Sequence, residues 1–106
     1  MGCMGFKGMT AEDKFAYCTH HGYSFAYYEY WAAHPVCEVC HSQESQPPHH
    51  CRTRGSGGPD EPWNLLALCV QHHRAIHNVG DIQIGRMVGG EIQAKIMAAK
   101  KGAHKL

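Results

Sequence analysis

No run of about eighteen apolar residues occurs anywhere in this 106-residue chain, so it offers no transmembrane span. The opening stretch MGCMGFKGMTAEDK lacks the apolar core of a secretory signal. Gly2 follows Met1, but the residues after it do not complete a myristoylation pattern. There are no internal repeats and no low-complexity tract. A formal net charge of +1 is too small to point to a polyanionic partner by itself. These absences leave a cytoplasmic chain without membrane contact as the expectation. Thiols stay reduced in that compartment, and paired cysteines there bind metal more often than they form disulfides.

The length is that of one small domain, which buries only a modest share of its surface and gains from a metal staple. Charge is unevenly spread. Through Pro62 there are four basic residues (Lys7, Lys14, Arg52, Arg54) against seven acidic ones, a balance of −3. Beyond it there are six (Arg74, Arg86, Lys95, Lys100, Lys101, Lys105) against two, a balance of +4. That asymmetry is compatible with a phosphate-facing side, or with a merely solvated basic end.

Helix signals open the chain. Thr10 is a hydroxyl cap with Glu12 and Asp13 in the first turn, which predicts a helix to about His20 that stops at Gly22. Ser24 caps a second one through about Ala33, ended by Pro35. Phe15, Phe25, Tyr27, Tyr28, Tyr30 and Trp31 supply an aromatic layer for the core, with a base-stacking platform as the other use. Pro47 and Pro48 force extended chain, so a strand is predicted over 49–52. Residues 54–62 form a loop by composition, and the apolar run 64–68 suits a second strand, although periodicity alone also admits a helix. A helix is predicted from Cys69 to His77, a short hairpin arm over 81–85, and a final helix from Glu91 to Lys101 with Gly102 at its end.

Two sets of metal-binding residues are threaded through one another between Cys37 and His77. Cys37-x2-Cys40 and Cys69-x2-His72 form paired ligands with the spacing and softness that suit one tetrahedral zinc. Twenty-eight residues separate the pairs, so a whole motif must fit between them. Cys51 is a rival ligand, but a small thiol in the middle of a strand is better used as core. Cys3 and Cys18 fall outside the pattern and read as free thiols. His49, His50, Asn64, His73 and His77 are then surplus to a closed four-ligand shell, which suggests a second, open metal site. At about 100° per residue from Cys69, His72 falls near −60°, His73 near +40° and His77 near +80°. One stripe of the helix can hold zinc while the next presents two imidazoles, unless those are simply solvated.

The CxxC pair, double histidine, Gly-rich loop, asparagine before an apolar strand and closing CxxxH together resemble the zinc-bound HNH endonucleases. The likeness spans Cys37 to about Gly80, roughly two-fifths of the chain. Two positions depart from the usual pattern: His72 stands where most relatives have the fourth zinc cysteine, and Cys51 where many have an aliphatic residue. The resemblance implies a small α+β fold. A ββα-metal finger would sit inside a treble-clef-like zinc frame over 36–80, with a helical extension at 1–35 and an arm and helix at 81–106. It implies that His50 is the general base, that Asn64 ties down the inter-strand loop, and that His49 and His73 hold a catalytic cation, with His77 either a third ligand or a phosphate contact. It also implies a structural zinc at Cys37, Cys40, Cys69 and His72, and DNA as partner, with Arg52, Arg54 and Arg74 as candidate contacts.

The residue types suit that chemistry. Histidine takes a proton from water near neutral pH, and a divalent cation relieves charge on phosphate and leaving oxygens. Imidazole ligands admit Mn, Co, Ni or Zn, and Mg is served mostly by water and phosphate. One such site cuts one strand at a time, so nicking is expected, with a possible homodimer through Phe25 to Trp31 supplying a second cut. The competing readings are a catalytically silent zinc module that binds nucleic acid or protein, and a metal enzyme acting on something else.

Overall fold

Local capping starts the chain's architecture in the computed structural model, which describes residues 8–101. Helix α1 (Ala11–His20) opens on a capping box: Thr10 Oγ1 accepts the Asp13 N–H at 3.0 Å, and Asp13 Oδ2 accepts the Thr10 N–H at 3.0 Å. Helix α2 (Phe25–Ala33) begins at Ser24, whose hydroxyl accepts the Tyr27 N–H at 3.2 Å. Two short strands follow, β1 (His49–His50) and β2 (Leu65–Leu66), paired antiparallel with His49 opposite Leu66 and His50 opposite Leu65. Helices α3 (Val70–Val79), α4 (Asp81–Val88) and α5 (Gly90–Lys101) complete a small mixed α+β fold. Among the described residues no helix is long and apolar enough to cross a membrane. Gly102, expected to end the last helix, and Cys3, expected to be a free thiol, lie outside the described residues.

The alternation of β2 and its continuation decides the layering. Leu65 and Ala67 turn toward Cys18, Tyr27, Tyr30 and Trp31, while Leu66 and Leu68 turn toward Ile76, Ile84 and Ile96. The central segment is therefore packed between the aromatic helices α1–α2 on one side and α3–α5 on the other. Tyr27, Tyr30 and Trp31 are core residues, whereas Phe15 and Phe25 are 49% and 60% exposed.

Two sequence expectations need correction. The strands are shorter than 49–52 and 64–68, because beyond the paired residues the backbone bonds go elsewhere: Arg52 donates its N–H to Asn64 Oδ1 rather than to a ladder partner. The hairpin arm expected over 81–85 is the first half of helix α4. Its apparent alternation misled. Ile84 and Gly85 are buried against α5, and a Cβ on Gly85 would lie 3.3 Å from Ile96 Cδ1 and 3.4 Å from Gln93 Cα. Close helix-to-helix approach, a tertiary demand, selects the conformation there.

Candidate functional site

Cys37 and Cys40 sit on a tight knuckle whose chain folds back on itself: Cys37 donates its N–H to Gln43 O at 2.8 Å and accepts at its carbonyl from His41 at 3.0 Å. Glu38, between the cysteines, clamps the knuckle to the β2 strand's continuation. Its backbone N–H donates to Ala67 O and its carboxylate accepts the Ala67 N–H, each at 2.8 Å. That carboxylate also accepts the Tyr30 hydroxyl proton, and Lys95 donates to the Tyr30 oxygen at 2.6 Å. Cys69 and His72 come from the start of α3, where the Cys69 side chain caps no backbone group and is left to face the knuckle.

The four ligand atoms of Cys37, Cys40, Cys69 and His72 all lie within 4.8 Å of one another. Individual separations are 3.2 Å from Cys69 Sγ to His72 Nδ1, 3.7 Å from Cys37 Sγ to His72 Nδ1, and 4.0 Å from Cys40 Sγ to Cys69 Sγ. Zn–S bonds of about 2.3 Å and a Zn–N bond of about 2.0 Å place tetrahedral ligand atoms roughly 3.5–3.8 Å apart. The set could hold a metal ion such as zinc. Hydrogen bonds from Ser42 pull the Cys40 thiol down to about 6, while burial pushes Cys69 up. Cys51 lies elsewhere, fully buried in the core, where loss of solvent and then the Asp81 charge push its thiol up to about 11. Cys18 is likewise a buried free thiol.

The remaining histidines open onto a different place, a groove of about 390 Å³ bordered by His49, His50, His73, His77, Tyr23 and Arg54. His73 Nε2 and His77 Nε2 are 3.3 Å apart, and the His49 ring centre is 6.1 and 6.5 Å from theirs. The three do not form as tight a ligand group as the thiolate set does. Two of them have a second partner. His73 Nδ1 meets Gln46 Oε1 at 2.9 Å, an oxygen that can only accept, so the ring proton is on Nδ1 and the Nε2 lone pair faces His77. His49 Nε2 meets Asp81 Oδ2 at 3.1 Å, and Lys100 holds the same oxygen at 3.1 Å. Carboxylate and amide partners of this kind fix the tautomer of metal-binding imidazoles. Burial, and then the His77 and His49 imidazoles, push His73 down to about 4, so its ring is neutral throughout the neutral range. Burial pushes the Asp81 carboxyl up, but bonds from His49 and Lys100 outweigh it and hold it below its ordinary value.

Asn64 is fully buried and spends its whole amide on the loop after β1. Its Oδ1 accepts the Arg52 N–H at 2.7 Å, and its Nδ2 donates to Arg52 O at 2.9 Å and Pro59 O at 3.0 Å. The loop closes so tightly that a Cβ on Gly58 would lie 1.8 Å from Arg52 O and 2.8 Å from Asn64 Nδ2, a position only glycine can fill. His50, at the end of β1, is held beside this loop. Its Nε2 is 2.6 Å from Asp60 Oδ1, and the Tyr27 ring lies nearly parallel to it at 5.3 Å and 15°. Asp60 Oδ2 accepts the Ser24 N–H at 3.1 Å, just before α2. Burial alone pushes the Asp60 carboxyl up; the bonds from His50 and Ser24 outweigh this and hold it below its ordinary value. Of the arginines named from the sequence, Arg54 borders the groove with its guanidinium 4.8 Å above the Tyr23 ring. Arg52 turns back to Ser56 O at 3.5 Å, and Arg74 is exposed on α3.

The sequence reading missed Asp60, Asp81, Gln46, Tyr23 and Tyr27 as site neighbours. Nothing local marks them, since Asp81 and His49 are 32 residues apart and Gln46 and His73 are 27 apart. Comparison of the chain with protein-family models, curated proteins and solved structures finds no match.

Proposed function

We propose that this chain is a divalent-metal-dependent DNA endonuclease of the HNH type, with β1, β2 and α3 as a ββα-metal finger in a zinc frame. The observation that carries this reading is one groove bordered by His50, beside a loop that the Asn64 amide pins, and by His49, His73 and His77. A module that only bound nucleic acid or protein through its zinc would need neither the pinned loop nor three neighbouring imidazoles, two of them, His49 and His73, tied by outer partners. A cation held by His49, His73 and His77 would supply charge relief at the phosphate and at the leaving oxygen. His50 takes the proton from the attacking water, and Arg54 stands beside the groove to meet a phosphate. Excluding other nucleophiles and fixing the line of attack fall to the groove walls.

Because one base can align one in-line attack, a single chain cuts one strand at a time. Supercoiled plasmid incubated with the protein and Mg, Mn or Ni should pass first to open circle, with linear product later. A second copy of the chain would be needed for a concerted double cut. Linear product at low enzyme concentration without an open-circle stage would contradict single-site action. No product with any of the cations would leave the silent zinc module as the better reading.

A further inference from the structure

We propose that Asp60 is the positioning residue for His50, holding the ring proton on Nε2 so that Nδ1 is the basic nitrogen, with the α2 N-terminus holding Asp60 in turn. The proposal rests on the nuclease reading for its catalytic consequence, but its structural half stands without it.

A histidine can act as a base only if the lone pair is on the nitrogen that faces the substrate. Free imidazole exchanges its proton between the two nitrogens and turns about its side-chain bonds. Three contacts remove that freedom here. An ionised carboxylate can only accept, so the 2.6 Å contact from Asp60 Oδ1 places the proton on His50 Nε2. The Tyr27 face, at 15° to the imidazole, sets the ring plane, and Tyr27 is itself anchored by its hydroxyl donating to Pro48 O at 2.6 Å. Asp60 is prevented from swinging away because its second oxygen accepts the Ser24 N–H at 3.1 Å. Both side chains are largely withdrawn from water, with 10% of His50 and 16% of Asp60 exposed, so the contact is poorly screened. The helical extension, which lies outside the motif, thereby reaches the reacting histidine through one carboxylate and one ring.

In the hydrolysis, water gives a proton to His50 Nδ1 as its oxygen bonds to phosphorus. The bond from phosphorus to the 3′ oxygen breaks with its electron pair on that oxygen, which takes a proton from solvent. His50 is then an imidazolium, and the negative Asp60 beside it stabilises the charge that was absent in the ground state. No proton passes to Asp60. His50 returns its extra proton to solvent.

The test uses the zinc-loaded full chain in two arms. In the first, ring-¹⁵N spectra of the unmutated protein without added divalent cation, assigned against His50→Ala, report which nitrogen of His50 carries hydrogen. We expect Nε2–H, with a downfield proton slow to exchange, and a return to solvent-like exchange in Asp60→Ala. A His50 protonated on Nδ1, or a fast-exchanging Nε2 proton in the unmutated protein, overturns the proposal whether or not the protein cleaves DNA. In the second arm, kcat and KM are measured on a nicked-duplex substrate. Losing the base costs about 10²–10⁴, and a positioning residue cannot cost more, so Asp60→Asn should lose about 10- to 100-fold in kcat with KM within about twofold. Parent-like kcat in Asp60→Asn, beside an inactive His50→Ala, overturns the proposal and leaves the nuclease reading intact. If the unmutated protein cleaves nothing, that reading fails, and the spectra alone decide the Asp60–His50 placement.

Discussion

Cys40→Ser should unfold the domain rather than slow a reaction. The Cys3His set joins the 37–40 knuckle to the first turn of α3, and both packed layers meet the chain that runs between them. Structural zinc sites contribute an apparent ~10–16 kcal/mol near neutral pH, whereas a domain of this size has only about 5–15 kcal/mol of net stability. Serine offers a harder, far less acidic ligand, and losing even part of that binding energy exhausts the margin. The purified parent should hold about one zinc per chain, and Cys40→Ser should hold little and lose its cooperative melt. Metal analysis with thermal denaturation checks this. A zinc-free Cys40→Ser protein that melts as the parent does would show that the cluster is not a staple.

His50→Ala should do the reverse, removing cleavage while leaving the fold. His50 is half-buried at the end of β1, its backbone pairs with Leu65, and its ring is not one of the four clustered ligand groups. Truncation leaves the ladder intact and vacates one wall of the groove. Loss of a general base costs about 10²–10⁴ in rate, and because the base acts in the transition state the loss should fall on kcat rather than on DNA binding. Single-turnover cleavage with a parallel binding assay and zinc analysis separates these effects. Cleavage within a few fold of the parent would place the base elsewhere.

Most of what the sequence made legible was local. The caps at Thr10 and Ser24 place α1 and α2 because a hydroxyl followed by helix-favouring residues settles its own backbone bonds. The Cys37, Cys40, Cys69 and His72 cluster was legible because its two pairs each obey a short spacing, and one ion that both could ligate leaves little choice in how they meet. The angular separation of His72 from His73 and His77 also follows from helix geometry alone. What was not legible depends on contacts between distant segments. Alternating Ile82 and Ile84 read as a strand because the packing of Gly85 on α5 is invisible to a window of five residues. Asp60 lies in a loop whose composition predicts only a turn, and its meeting with both His50 and Ser24 requires the whole fold. The aromatic helices were legible as core but not as a wall of the groove, since only the folded chain brings Tyr27 over the His50 ring.

On the proposed reading the Cys37, Cys40, Cys69 and His72 set holds the fold, and His49, His73 and His77 serve cleavage. The most direct measurement is to treat the zinc-loaded protein with a chelator too weak to take a thiolate-bound ion, then assay zinc content, melting and plasmid nicking before and after adding Mn or Mg. About one zinc per chain should be retained, with an unchanged melt, no nicking after chelation, and nicking restored by the added cation in the parent but not in His50→Ala. Nicking that persists with the retained zinc alone, or that never appears with any cation while zinc and fold are intact, would contradict that reading.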